Sequence, residues 1–136
     1  MPSNIIWFAD PEATTSELVG GKGVNLARMT AAGFTVPPGF TVSTAAYATF
    51  VERLQADIDA TLATVDFTDA DHVERATAAI RAQILAADVP PQIGADLLAA
   101  YARLADQDGD RFVAVRSSGT AEDLADASRA DHRLLQ

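Results

Sequence analysis

From residue 47 to residue 104 apolar side chains return every three or four positions, in three successive blocks. Tyr47, Phe50, Val51, Leu54, Ile58 and Leu62 form the first block. Val73, Ala76, Ile80, Ile84 and Ala87 form the second, and Ile93, Leu97, Tyr101 and Leu104 the third. Such spacing puts each block on one face of an α-helix. A large part of the chain is therefore committed to amphipathic helices whose stripes read as core, not as a cofactor box. Boundary residues agree. Ser43 or Thr44 can cap the first helix, Thr68-Asp69 opens the second, and Pro90-Pro91 closes it and starts the third.

What flanks the helices decides the fold class. Residues 4–9 are β-branched and aromatic, then stopped by Asp10-Pro11, and read as a short strand. Ser16-Glu17-Leu18-Val19 leads into Gly20-Gly21-Lys22-Gly23. A helix is expected over 22–32, with Leu26, Met29 and Ala32 on one side and Gly33 as its stop. No helix crosses Phe34-Thr35-Val36-Pro37-Pro38-Gly39-Phe40, because proline restricts itself and the residue before it. Phe40-Thr41-Val42 reads as a second short strand. Asp108-Gly109-Asp110 is a turn, and residues 111–116 form an apolar run between charges, read as a buried strand. Ser117-Ser118-Gly119-Thr120 is a small-residue loop, and Thr120-Ala121-Glu122-Asp123 can open a helix. Short strands interleaved with several amphipathic helices give a mixed α/β domain.

Composition narrows the function. The 136 residues allow one domain and include no cysteine, which excludes a disulfide framework, a thiolate metal site and a cysteine nucleophile. Ten basic against nineteen acidic residues leave a net charge of −9. A nucleic-acid partner or an anionic membrane surface calls for a basic patch that this chain does not supply. No apolar run approaches membrane-span length and residues 1–10 lack a basic signal-peptide start, so the expected compartment is the cytoplasm. Nine of the ten basic residues are Arg, and the one Lys, Lys22, lies between glycines.

Two segments carry chemistry. Glycines at 20, 21 and 23 let backbone approach a ligand closely with its N–H groups exposed, and a helix start adds partial positive charge to the full charge of Lys22. That combination suits a phosphate. The spacing is neither a P-loop nor G-x-G-x-x-G, and a flexible turn bearing a surface lysine is the plainer alternative. In Val113-Ala114-Val115-Arg116-Ser117-Ser118-Gly119-Thr120 an arginine ends a strand ahead of hydroxyls and glycine, where α/β proteins place ligands. Its guanidinium matches phosphate oxygens bidentately; an ion pair with Glu122 or Asp123 is the alternative. Other signals fail. Residues 106–110 have the wrong glycine position for a calcium loop, and Ser117 stands where the closing Glu belongs. His72 reads as a surface residue. His132 has no ligand pattern, and it makes no triad with Asp131 and Ser117 or Ser118.

Taken in order, Leu18-Val19-Gly20-Gly21-Lys22-Gly23-Val24-Asn25-Leu26, Gly33-Phe34-Thr35-Val36-Pro37-Pro38-Gly39-Phe40 and Val115-Arg116-Ser117-Ser118-Gly119-Thr120-Ala121-Glu122-Asp123 resemble one family. It is the N-terminal ATP-binding domain of phosphoenolpyruvate synthases and pyruvate phosphate dikinases, shared by rifampicin phosphotransferases. The resemblance implies part of an ATP-grasp-like domain over residues 1–128, followed by a non-matching tail at 129–136. It implies ATP as ligand. Lys22 and Arg116 would contact its phosphates, Gly20, Gly21 and Gly23 would shape the loop, and Ser117 and Ser118 would line the adjoining turn. The family moves phosphate from ATP to a histidine on a separate domain and on to pyruvate, or to an antibiotic.

Where the family continues Phe-Ala-Gly-Gln, this sequence reads Arg129-Ala130-Asp131-His132. The departure implies a truncated or frameshifted chain, or one ending in foreign residues. The second lobe with its Mg²⁺ ligands and the phosphohistidine domain would then be absent, and the chain alone would be inactive. A non-catalytic interaction module, or one half of a split antibiotic phosphotransferase completed by a separately encoded partner, is the alternative. Self-association is expected through apolar surface that the missing lobe would cover.

Overall fold

The computed structural model describes residues 2–109 and 112–121. Strand β1, Ile5–Trp7, pairs antiparallel with β2, Phe40–Val42, so that Ile5 faces Val42, Ile6 faces Thr41 and Trp7 faces Phe40. The strand expected over 4–9 is shorter because Asp10 turns the chain back. Its carboxylate accepts the Trp7 N–H at 2.9 Å, and a 3₁₀ turn follows over Pro11–Thr14. Helix α1 runs Ser16–Ala31 and fills the connection between the two strands. Ile6, Ala13, Val19, Val24 and Ala27 form the buried cluster, with Leu18 packed against it.

The face that α1 buries differs from the expected one. Val19, Val24 and Ala27 point into the cluster, whereas Met29 and Ala32 are exposed and Leu26 is half-buried. A helical stretch from Ser16 precedes the expected start at 22, and the inner face of α1 is set by the 3₁₀ turn and the two strands. Gly33 takes a positive φ of 83° just beyond the helix, the left-handed stop that its position predicts.

Among the described residues four helices follow: α2 (Thr44–Glu52), α3 (Gln55–Ala63), α4 (Ala70–Ala86) and α5 (Pro91–Asp108). Ser43 is buried and accepts the Ala46 N–H at 3.2 Å, capping α2. Asp69 caps α4 by accepting the N–H groups of Asp71 and His72. The single helix expected over the first apolar block is broken at Arg53 and Leu54, where neither proline nor glycine warns of it. His72, expected at the surface, is half-buried, and its Nδ1 accepts the Asp66 N–H at 3.1 Å.

Helix α5 docks on β1. Arg103 lies 4.2 Å above the Trp7 ring, Trp7 packs against Phe40 at 5.2 Å, and Asn4 Nδ2 donates to Asp96 at 2.8 Å. Only part of each helical stripe is deeply buried: Ala76, Ile93, Ala100 and Leu104 are inside, while Tyr47, Leu62, Leu97 and Tyr101 are exposed. The buried strand expected at 111–116 is not found over its described part, 112–116. That segment belongs to no sheet, and Phe112 and Val115 are 88% and 89% exposed. A strand buried on both faces needs neighbours to cover it, and the sheet described here consists of β1 and β2 alone. The helix start expected at 120–123 shows only a turn at Thr120 and Ala121, its remainder lying outside the described residues. No helix among the described residues is long and apolar enough to cross a membrane.

Candidate functional site

Helix α1 is not one continuous helix. Gly20 sits at φ 72° and ψ 174°, far from helical values. Glycine alone tolerates that region at little cost. In an unbroken helix the Gly23 N–H would donate to the Val19 carbonyl, four residues back. Here the rung is open, and a hydroxyl from the far end of the chain fills it. Ser118 Oγ accepts the Gly23 N–H at 3.0 Å and donates to the Val19 carbonyl at 2.6 Å. An inserted side chain is one of the few established causes of a helix kink.

The loop around Ser118 lies directly on the glycines. A Cβ at Gly20 would collide with the carbonyl and hydroxyl of Ser118. The Gly21 N–H donates to the Gly119 carbonyl at 3.0 Å. A Cβ at Gly23 would press on the Val19 side chain and come within 3.2 Å of the Thr41 hydroxyl in β2. Two of the amides at the start of the restarted helix, unpaired in an isolated helix, are thus satisfied by residues 118 and 119. The N–H groups of Gly21 and Gly23, expected to be open to a ligand, are engaged inside the protein, and at 20 and 23 the missing side chains permit close approach.

The two sequence motifs therefore meet although 95 positions separate Gly23 from Ser118. Gly20, Gly21 and Gly23 are brought against Ser118 and Gly119. Lys22 is exposed on the first turn of the restarted helix, between two residues that bond to the loop. Arg116 and Ser117 are exposed on the loop's approach, with Arg116 two positions before the bridging serine. A lysine at the positive end of a helix is mismatched with the helix dipole by about 0.3–1 kcal/mol. Local conflicts of this kind gather at functional sites. The alternative partners of Arg116, Glu122 and Asp123, and the other failed candidates Asp131 and His132, lie outside the described residues.

Sequence reasoning missed three parts of this arrangement: the Val19 carbonyl, the Gly119 carbonyl and the backing of Gly23 by Thr41. A run of small residues at 117–119 was the available sign of close backbone contact. Nothing in the sequence marks Thr41. Among the described residues no group of three or more His, Asp or Glu stands close enough to hold a metal ion.

Residues 16–131 match the model of the pyruvate phosphate dikinase AMP/ATP-binding domain. Among curated relatives, a probable phosphoenolpyruvate synthase of Staphylothermus marinus is 39% identical over 132 residues, covering 93% of this chain and 16% of the relative. The phosphoenolpyruvate synthase of Neisseria meningitidis serogroup B is 42% identical, covering 93% and 17%. That of Pyrococcus furiosus is 35% identical, covering 93% and 20%. The chain spans a fifth or less of the length of each of these relatives.

Proposed function

The chain belongs to the family of the pyruvate phosphate dikinase AMP/ATP-binding domain, and from that premise we propose that it forms the part of an ATP site that grips the nucleotide phosphates. In this reading Lys22 and Arg116 contact phosphate oxygens, the glycines at 20, 21 and 23 shape the turn, and Ser117 and Ser118 line the loop docked on it. The supporting observation is that docking itself, which joins the two cation-bearing segments through Ser118.

The electrostatics point the same way. A triphosphate brings several negative charges to a protein that already carries −9, so binding needs concentrated local cations. Lys22 supplies a compact charge at a helix start, and Arg116 supplies a planar fork suited to two oxygens. Remaining arginines such as Arg53, Arg75, Arg81 and Arg103 lie in or beside helices α2, α4 and α5, away from the glycine turn in sequence.

The whole reaction to which this segment contributes is proposed, from the relatives' names, to be phosphoenolpyruvate synthesis. One phosphoryl group of ATP would pass by way of a phosphohistidine to pyruvate, the rest of the nucleotide leaving as AMP and inorganic phosphate, with Mg²⁺ held by parts of the longer protein. Titration with MgATP tests the reading. Lys22→Ala and Arg116→Ala should each weaken binding by about 1.5–3 kcal/mol, the scale of a charged hydrogen bond, which is roughly 10–150-fold. Wild-type affinity in both variants would refute the assignment.

A further inference from the structure

We propose that Ser118 is a positioning residue: its hydroxyl does not serve as a nucleotide ligand, and it holds the Lys22 and Arg116 segments in a fixed relation by completing the broken rung of α1. The inference rests on the nucleotide reading above and sharpens it, because that reading leaves Ser118 among the residues lining the site.

Hydrogen-bond capacity carries the inference. A serine hydroxyl has one proton to donate and two lone pairs to accept with. The Ser118 proton goes to the Val19 carbonyl at 2.6 Å. One lone pair takes the Gly23 N–H at 3.0 Å. What remains is a lone pair, which repels a phosphate oxygen. The Ser118 hydroxyl has no proton left for an anion.

The same two bonds do mechanical work. The break at Gly20 removes the backbone rung that would otherwise fix the restarted helix to residues 16–19. The hydroxyl ties both sides of that break to one atom on the loop that carries Arg116. The Gly119 carbonyl, holding the Gly21 N–H at 3.0 Å, adds a second tie on the adjacent residue. Two ties on consecutive loop residues fix orientation as well as distance. Cations held in place before the ligand arrives cost no ordering when it binds.

The test uses this chain, MgATP titration calorimetry, and amide hydrogen exchange at Gly23 in the nucleotide-free protein. Ser118→Ala should weaken MgATP binding about tenfold and speed Gly23 exchange about tenfold, the scale expected when a structural hydrogen bond is lost. Ser118→Thr, which keeps the hydroxyl, should retain both wild-type values. Gly20→Ala strikes the same joint from the helix side, so its loss of affinity should not multiply with that of Ser118→Ala. Weaker MgATP binding with unchanged Gly23 exchange would make Ser118 a direct ligand and overturn the inference. Faster exchange with unchanged affinity would reduce it to a structural cap, and multiplying losses would separate the two residues; either result also overturns it. A wild-type chain that fails to bind MgATP would refute the nucleotide reading itself. Wild-type binding that Ser118→Ala leaves intact would refute the positioning role alone.

Discussion

Replacing Gly20 with alanine should be the most damaging single-methyl change in this protein. Two costs combine. The backbone at φ 72° and ψ 174° belongs to a region essentially reserved for glycine, and holding another residue there costs about 1–3 kcal/mol. The new Cβ would also overlap the Ser118 carbonyl and hydroxyl, and a backbone carbonyl cannot swing aside as a flexible side chain can. The least costly response is for residues 117–119 to lift away. That gives up three hydrogen bonds: Gly23 to Ser118, Ser118 to Val19, and Gly21 to Gly119. At about 1 kcal/mol each, undocking costs as much as the backbone strain. The combined loss is about 4–6 kcal/mol, against a total of roughly 5–15 for a domain. Urea denaturation followed by circular dichroism measures it. Gly33→Ala is the control, since Gly33 also has a positive φ, 83°, but nothing lies within 4 Å of its added methyl; it should lose only about 1–2 kcal/mol. Equal losses in the two variants, or a Gly20→Ala loss under about 1 kcal/mol, would refute the close-approach reasoning.

Gly94→Ala should stabilise the protein by about 0.5–1 kcal/mol, because Gly94 lies in α5 and its added methyl meets Val89 at an ordinary 3.9 Å; thermal melts check this. Hydrogen bonds from the Thr68 hydroxyl and amide hold the Asp66 carboxyl below its ordinary value. Its contribution to stability is therefore complete above that ordinary value, near pH 4, and is lost as pH falls through the lower folded-state value. Asp66→Asn should flatten stability against pH in that acid window and nowhere else, as read by denaturation at stepped pH. Exposed Phe112 and Val115 should drive concentration-dependent association in sedimentation velocity, reduced by Val115→Asp; a monomer at every concentration would count against it.

Local chemistry was legible where a residue acts on its own neighbours. Ser43, Asp69, Gly33 and Gly109 cap or stop their helices through groups within a few positions. Pro37-Pro38 excluded helix where the chain leads into β2. Errors arose where a distant contact decided the outcome. The helix expected from 22 does restart beyond a non-helical Gly20, but the helical stretch before it, joined through residue 118, was not foreseen. Periodicity over 47–62 was genuine, but a break at Arg53 and Leu54 preserves period locally and so leaves no mark. Residues 112–116 have the composition of a buried strand, and composition cannot say whether a neighbouring strand exists. The site divides in the same way. Both motifs stood out by residue type, whereas the hydroxyl joining them is one serine among ordinary loop serines until its two partners are seen.

The serine bridge also orders events in time. Closing a loop of 95 residues costs about 4 kcal/mol of chain entropy before any bond forms, so Ser118 is slow to find α1 in an open chain. Arg103 on Trp7 and Asp96 on Asn4 change the starting point. Once α5 lies on β1, only the short stretches 8–18 and 104–117 remain to be drawn in, which lowers that cost by about 1 kcal/mol. The docking of α5 on β1 should therefore form first and the serine bridge last. In reverse, the bridge is the part that can open while the rest stays folded. The nucleotide grip would then appear and vanish as a late, separable step, and weakening a cation–ring contact on α5 would slow the assembly of a site to which it contributes no atom.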